Sequence, residues 1–320
     1  MVASFSMRLS LIPAMRLVLL VLFVAVSLPC SLFAGMQEIL DGLKASEFRF
    51  ARSGSEVPFL PAGWLTHQYY PDASFEANLE ILPDAEVQEN ATSLGAFMPL
   101  SVQSRDMVLV GVDLSLDRIK VQSGPFRDQD VVRLTPVAAW MRQVNRNNLV
   151  AAFAAPIFSK EVRSGGEWGT GGYAGVVGLH WRSDTMQWVY GAVYENSFGR
   201  DRFYPYLGLQ WNPHPRLSVS LVIPWPTITY APGEDWILQM GISPGGSSWV
   251  SRQDRYEVTE SFGSWNLAAG LGRRLYGHFW LVGSAGLAGL RAWQLGEDDS
   301  ALRYEAKPGA VFTLALQFRP

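Results

Sequence analysis

Cysteine is almost missing from this chain: Cys30 is the single one in 320 residues. One cysteine makes no intramolecular disulfide, and a CxxC motif or a Cys-rich metal site is excluded. Charge is scarce as well. Asp, Glu, Lys and Arg form 17% of the residues, against about 25% in soluble domains. The net charge of −3 gives no basic footprint, so nucleic acid is excluded as a partner. After the first 34 residues no apolar run reaches the length of a membrane helix. The longest candidates, Leu149–Phe158 and Phe279–Leu290, are short and rich in Ala or Gly.

Other features are abundant. Apolar residues reach 48%, which excludes a disordered chain, and there are 30 Gly and 12 Trp. That mixture points to strands with aromatic anchors.

Residues 1–34 carry Arg8 and Arg16, no acidic residue, and the apolar run Leu17–Val26. This is the pattern of a secretory signal peptide, with cleavage expected after Ala34. The run is shorter than the ~20 residues of a spanning helix. Cleavage removes Cys30, so the exported chain has no cysteine. Residues 35–73 read as an N-terminal periplasmic or plug-like segment. Met36, Ile39, Leu40 and Leu43 share one face of a short helix, and Ser53–Pro71 reads as irregular.

From residue 74 the period is two. Ala310, Phe312, Leu314, Leu316 and Phe318 alternate with Val311, Thr313, Ala315, Gln317 and Arg319. Leu217–Trp225, Leu207–Trp211, Trp236–Ile242 and Tyr173–Trp181 repeat the pattern. The larger face is apolar, while the other holds Gly, Ser, Ala, Gln and few charges. A soluble sandwich would place more Lys, Glu and Asp there. The strands run about 10 residues, the length a tilted strand needs to cross a bilayer. Short connections at Gln103–Arg105, Asn145–Asn147, Ser183–Thr185, Asn212–His214, Pro244–Gly246 and Leu275–Gly277 alternate with longer ones. Outer-membrane barrels alternate in this way, with short turns on the periplasmic side. The expectation is an all-β transmembrane antiparallel barrel over 74–320, of about 14 strands, with 12 the next count.

In that frame Trp181, Trp188 and Trp211 belong to a periplasmic aromatic girdle, and Trp236, Trp265 and Trp293 to an outer one. Arg133, Arg182, Glu195, Arg202, Arg216, Asp235 and Arg274 are expected to face the lumen. There they either set ion selectivity in a pore or pair inside a closed barrel.

The segment Tyr204–Pro232, followed by Trp236 and the run Ser243–Trp249, carries a Tyr-Leu-Gly strand, a Pro-Arg turn, a strand ending in Pro-x-Pro and a Gly-Gly-x-x-Trp. Over Tyr173–Leu287 the chain resembles an uncharacterised family of bacterial outer-membrane β-barrels, a domain-of-unknown-function family. The resemblance implies a barrel in the outer membrane of a Gram-negative-type bacterium and no activity. Partners on this reading are outer-membrane lipid and the assembly machinery. Such barrels end on an aromatic residue, whereas here Phe318 precedes Arg319 and Pro320. Phe318 is therefore the expected assembly signal.

Chemistry has little to stand on. His67, His180, His214 and His278 are not at metal-ligand spacing. Glu297, Asp298 and Asp299 lack the spacing of a calcium loop. The Gly-rich stretch 165–172 is followed by no Lys-Ser/Thr and is not a phosphate loop. No cofactor, metal or catalytic residue is expected, and the protein reads as not an enzyme. Three functions remain open. The first is a passive channel or transport barrel for small solutes, in one variant plugged by the N-terminal segment and carrying apolar cargo. Small inward residues (Gly208, Ser218, Ser220, Gly270, Gly272) leave it room. The second is a structural or surface barrel binding a partner through the loops Trp293–Lys307 and Ser159–Gly171. The third is a membrane-embedded lipid hydrolase, with His180 read as inward-facing and as its one candidate base. The oligomeric state is left open.

Overall fold

The computed structural model describes residues 42, 45–50, 55–78, 82–163, 166–196, 201–253, 256–296 and 302–319, without the side chains of 252, 253, 256 and 257. The expected signal peptide, the Met36–Leu43 helix apart from Gly42, and the acidic run 297–299 lie outside these residues. The chain divides into two units, 1–46 and 47–320, and the barrel belongs to the second.

Fifteen strands form one closed antiparallel sheet. They are β1 (Gly63–Ala77), β2 (Ala85–Val102), β3 (Asp106–Ser123), β4 (Gln129–Asn145), β5 (Asn148–Glu161), β6 (Gly169–Trp181), β7 (Met186–Glu195) and β8 (Arg202–His214), then β9 (Leu217–Ile223), β10 (Thr227–Gly233), β11 (Trp236–Gln253), β12 (Tyr256–Tyr276), β13 (Phe279–Leu295), β14 (Leu302–Ala306) and β15 (Gly309–Phe318). β14 and β15 both lie between β13 and β1, so the wall has fourteen positions. Pro308 sits at their break, where a ring nitrogen cannot donate to a ladder.

The wall is made by alternation. Leu65, Met98, Val112, Leu134, Val176, Leu207, Leu221, Leu238, Leu267, Leu281 and Leu314 all stand exposed on its outside. A soluble monomer rarely exposes a contiguous apolar patch above a few hundred Å², whereas a bilayer requires one. Among the described residues no helix is long and apolar enough to cross a membrane.

Three expected boundaries shift. β1 begins at Gly63, so residues 63–73 belong to the barrel and not to the N-terminal segment. The strand read over Leu217–Trp225 ends at Ile223 and a new one begins at Thr227, because Pro224 and Pro226 end the ladder around Trp225. The expected turn at Pro244–Gly246 is the interior of β11, where Gly246 takes φ +119°. Losing that turn and gaining the one at Trp225 keeps the count but moves Trp236 to the opposite rim.

Strand height is uneven. β9 and β10 have seven residues each, whereas β11 has 18 and β12 has 21. The last contact of β11 with this side is the Ile242 N–H bonded to the Pro226 carbonyl at 3.1 Å. Beyond it β11 leaves the wall and crosses the lumen. Arg133 of β4 reaches the Gly246 carbonyl at 2.6 Å. A Cβ on Gly166 would lie 2.3 Å from the Val250 carbonyl oxygen, so this approach requires glycine. The loop half of the barrel is therefore packed rather than hollow. Phe75, Val87, Ile119 and Val131 meet Trp249, Phe262, Trp293 and Tyr304 in one buried cluster.

A bulge shapes that cluster. Leu290 has φ +50°, and the β12–β13 register shifts beside it. One extra residue inverts the phase of the strand, so Arg291 and Trp293 turn inward.

Candidate functional site

The rim of short turns carries both chain ends of the barrel, β1 entering and β15 leaving. A strap formed by residues 47–50 and 55–62 lies along it. Glu47 accepts from the Arg105 guanidinium at 2.8 Å and from Ser104 Oγ at 3.0 Å. The Arg105 hydrogen bond, with that of Ser104, holds the Glu47 carboxyl below the usual carboxylate range. The Arg49 N–H donates to Gln143 at the end of β4, and its guanidinium pairs with Asp184 and stands over the Trp181 ring. Ser55 Oγ and the Glu56 N–H both donate to the Pro215 carbonyl, each at 2.8 Å. Arg216 Nε donates to Glu56 at 2.7 Å, and this hydrogen bond raises the Arg216 pKa. Val57 then turns inward and is buried among Ala231, Ile237, Trp280, Val282 and Ala315. Arg319 holds the Phe59 carbonyl at 3.2 Å, and the Ala62 N–H closes on Phe318. The strap thus contacts the turns after β2, β6 and β8 in order and ends inside the mouth.

Above the strap the lumen holds a layer of charge. Arg291 is buried over the rings of Tyr70, Phe75 and Phe262, with Glu89 at 3.9 Å. Asp117 is buried 3.9 Å from Arg133. Tyr70 accepts from Asn266 at 2.8 Å, and Trp293 donates to Glu260 at 2.9 Å. Glu89, Asp117, Glu260 and Arg291 were not among the expected lumen residues. Glu89 and Glu260 sit in stretches whose two faces both carry polar residues. Asp117 sits in a readable alternation of Val112, Leu114 and Leu116 with Asp113, Ser115 and Asp117, and Arg291 is hidden by the bulge.

A cleft of about 250 Å³ lies beside this layer. One side is the inner face of β6–β8, with Tyr173, Glu195, Arg202 and Tyr204. The other is the face of β11–β13 that continues the outside of the barrel, with Pro244, Gly263, Trp265 and Leu290. Trp225, beyond the short β9, is at its edge. Ser264 and Gly245 also line it, and both belong to the lumen face, so the cleft reaches the interior.

The expected lumen charges divide. Arg133 faces inward as described, and Glu195 is buried at the top of β7. Arg202 lines the cleft at the exposed end of β8. The remaining four lie at the turn rim. Arg182 is exposed in the turn after β6, and Arg216 holds the strap. Arg274 donates to Asp235 at 2.9 Å. Arg216, Asp235 and Arg274 bond to one another or to the strap because chain ends and turns gather there.

The aromatic residues divide as well. Trp188 and Trp211 are exposed on the outside near the turn rim, at 43% and 44%. Trp236 is outside but starts β11, so it sits at the turn rim and not the outer one. Trp265 lines the cleft. Trp181 is 3% exposed and Trp293 0%. Both point inward, Trp181 beneath Arg49 and Trp293 through the bulge. The inversion of Tyr173–Trp181 puts His180 outside, against expectation, where its ring bonds Asn148 at 2.8 Å. Phe318 ends β15 on the outer face, 5.6 Å from Phe279. The expected long loops shrink, since 159–161 and 169–171 extend β5 and β6, and 293–295 and 302–306 belong to β13 and β14.

The fold and these features define a closed outer-membrane-type β-barrel with an obstructed lumen. Residues 170–319 match the model of a family described as a domain of unknown function (DUF6268). The match runs from β6 to β15, in agreement with the resemblance drawn from Tyr204–Pro232. No curated protein matches the sequence. Among solved structures the chain is similar to the COG4313 outer membrane channel from Pseudomonas putida F1, with 12% identity, 83% of this chain and 98% of that one covered, and a TM-score of 0.45. It is also similar to the P. putida toluene transporter TodX, with 10% identity, 86% and 93% covered, and a TM-score of 0.39. A Pseudomonas aeruginosa FadL homologue gives 10% identity, 80% and 89% covered, and 0.34.

Proposed function

We propose that this protein is a transport barrel of a bacterial outer membrane, that it conducts small solutes and rests closed, and that it is not an enzyme. The observation that carries this reading is the strap. Residues 47–50 and 55–62 bind successive turns of one rim and insert Val57 into the mouth. A purely structural barrel has no need of a separate segment fastened across its mouth by exposed ion pairs, which come apart at low cost. The apolar band supports a barrel set in lipid, and on this reading the rim of short turns is periplasmic. Phe318, at the seam of β15 and β1, is the residue offered to the assembly machinery.

The surface-binding alternative has less chain to use, since its two loops are mostly strand. The hydrolase alternative has His180 on the outer face, where such a site would need it, but the partner of its ring is the Asn148 side chain and not a serine hydroxyl.

Uptake tests the reading. Proteoliposomes of the mature chain should admit a small solute slowly, and the Arg49→Ala/Glu56→Ala variant should admit it at least fivefold faster. Equal, negligible uptake by both forms would count against transport.

A further inference from the structure

Resting on the transport reading, we propose that the cleft beside β11 is the solute-binding site, that its ligand is a small amphipathic aromatic molecule, and that this ligand arrives sideways from the outer leaflet.

The shape comes first. β11 leaves the wall above Ile242 while β9 ends at Ile223, so the wall has a notch above the Pro224–Pro226 turn. The notch lies within the apolar band. Ile223 stands 62% exposed beneath it, Phe203 of β8 76% exposed above that level, and Leu290 78% exposed on its far side. A hole in a barrel wall at that height opens into hydrocarbon, not into water. Through it the cleft reaches Ser264 and Gly245 of the lumen face.

The lining selects the ligand. Tyr173, Trp225 and Trp265 present rings, and Pro224 and Pro244 add apolar edges. An apolar cavity of about 150 Å³ holds benzene, so 250 Å³ suits one ring with a short polar substituent. Polar groups stand on both sides, Ser264 and Gln294 on β12–β13 and Glu195, Arg202 and Tyr204 on β7–β8. Arg202 Nη1 donates to the Tyr204 hydroxyl at 3.4 Å, whose own hydrogen bond runs to Glu195, and the Arg202 guanidinium can also donate to an acceptor on the ligand. A site of apolar walls with a few convergent donors fixes orientation as well as affinity. From there a solute has the lumen beneath it and the strap as the remaining barrier.

One glycine makes the test clean. A Cβ on Gly263 would meet nothing within 4 Å, and this residue lines the cleft. Gly283, on the lipid side of β13, is equally unobstructed and lies outside the cleft. Gly263→Leu therefore fills the site without a clash, and Gly283→Leu is its matched control.

The probe is 4-nitrophenol, which partitions into bilayers and quenches tryptophan emission. The full mature chain in lipid nanodiscs should show saturable quenching. Gly263→Leu should weaken it at least tenfold, and Gly283→Leu should leave it unchanged. The water-confined 4-nitrobenzenesulfonate should compete poorly. Equal binding by Gly263→Leu and wild type overturns the site. Tight binding of the sulfonate overturns the lateral route. Saturable binding lost in Gly263→Leu, with no uptake by any form, keeps the site and removes the transport reading. Uptake that Gly263→Leu leaves untouched keeps transport and removes the site.

Discussion

Arg133 of β4 donates through Nη1 to the carbonyl of Gly246 in β11 at 2.6 Å, and thereby fastens one wall of the barrel to a strand that has left the opposite wall. The same guanidinium is 3.9 Å from buried Asp117. Arg133→Ala removes both contacts and leaves a carboxyl buried beside no cation. Removing one member of a buried pair costs roughly 3 kcal/mol. Urea unfolding in lipid vesicles should show a loss of that order, with Arg133→Lys intermediate. A loss below about 1 kcal/mol, the level of an exposed pair, would mean that the crossing of β11 does not depend on Arg133.

Gly246 bears the other half of this contact. Its φ of +119° is a backbone region that L side chains rarely adopt, and a Cβ there would lie 2.0 Å from the Phe262 carbonyl oxygen. Gly246→Ala should therefore destabilise the barrel by at least about 2 kcal/mol from backbone strain alone. Gly233→Ala, where a Cβ meets nothing within 4 Å, should be near neutral. Equal effects of the two would contradict the strained crossing.

The strap should respond to acid. The Arg105 hydrogen bond depresses the Glu47 pKa in the folded chain. A depressed carboxyl contributes its stabilisation above the ordinary carboxylate pKa and loses it as pH falls through the lowered value. The Glu47 end of the strap should hold from neutral pH through the ordinary carboxylate range and release as pH falls below it. A fluorophore placed near residue 47 should report that release, and Glu47→Gln should be released at every pH. Release that begins above pH 5 would point to another group.

Lipid contact separates the tryptophans. In variants that retain one tryptophan each, brominated lipid should quench Trp188 and Trp211 strongly and leave Trp181 and Trp293 bright. Quenching of Trp293 equal to that of Trp211 would show that the bulge at Leu290 does not invert the strand.

Phe318 closes the seam, with its backbone paired to Gly63 of β1 and Phe279 of β13. Phe318→Ala should lower the folded fraction recovered from the membrane. An unchanged folded yield would remove its role as the assembly signal.

Much of this barrel was legible in the residues. Ala310–Arg319 and Leu207–Trp211 alternate cleanly because one face meets lipid and the other small polar groups. Most turns were legible because turn residues recur at regular spacing, and the number of strands came out because the false turn at Pro244–Gly246 offset the missed one at Trp225. The loop half was not. Gly245–Gly246 reads as a turn, and only the third dimension shows β11 continuing through it to cross the lumen. Tyr173–Trp181 was inverted because both of its faces are apolar or small, so alternation alone does not choose. Arg291 and Trp293 were hidden by a single inserted residue, which reverses the faces without altering composition. The strap contacts, Glu56 with Arg216 above all, join residues 160 apart in sequence, and no local pattern encodes them.

The most direct measurement is single-channel conductance of the refolded mature chain in a planar bilayer, with and without residues 47–61. The expected result is a quiet wild-type chain with rare brief openings, and reproducible steps that boiling abolishes once the strap is removed. A wild-type chain that conducts continuously, or a folded strapless barrel that never conducts, would contradict a conduit held closed by this segment.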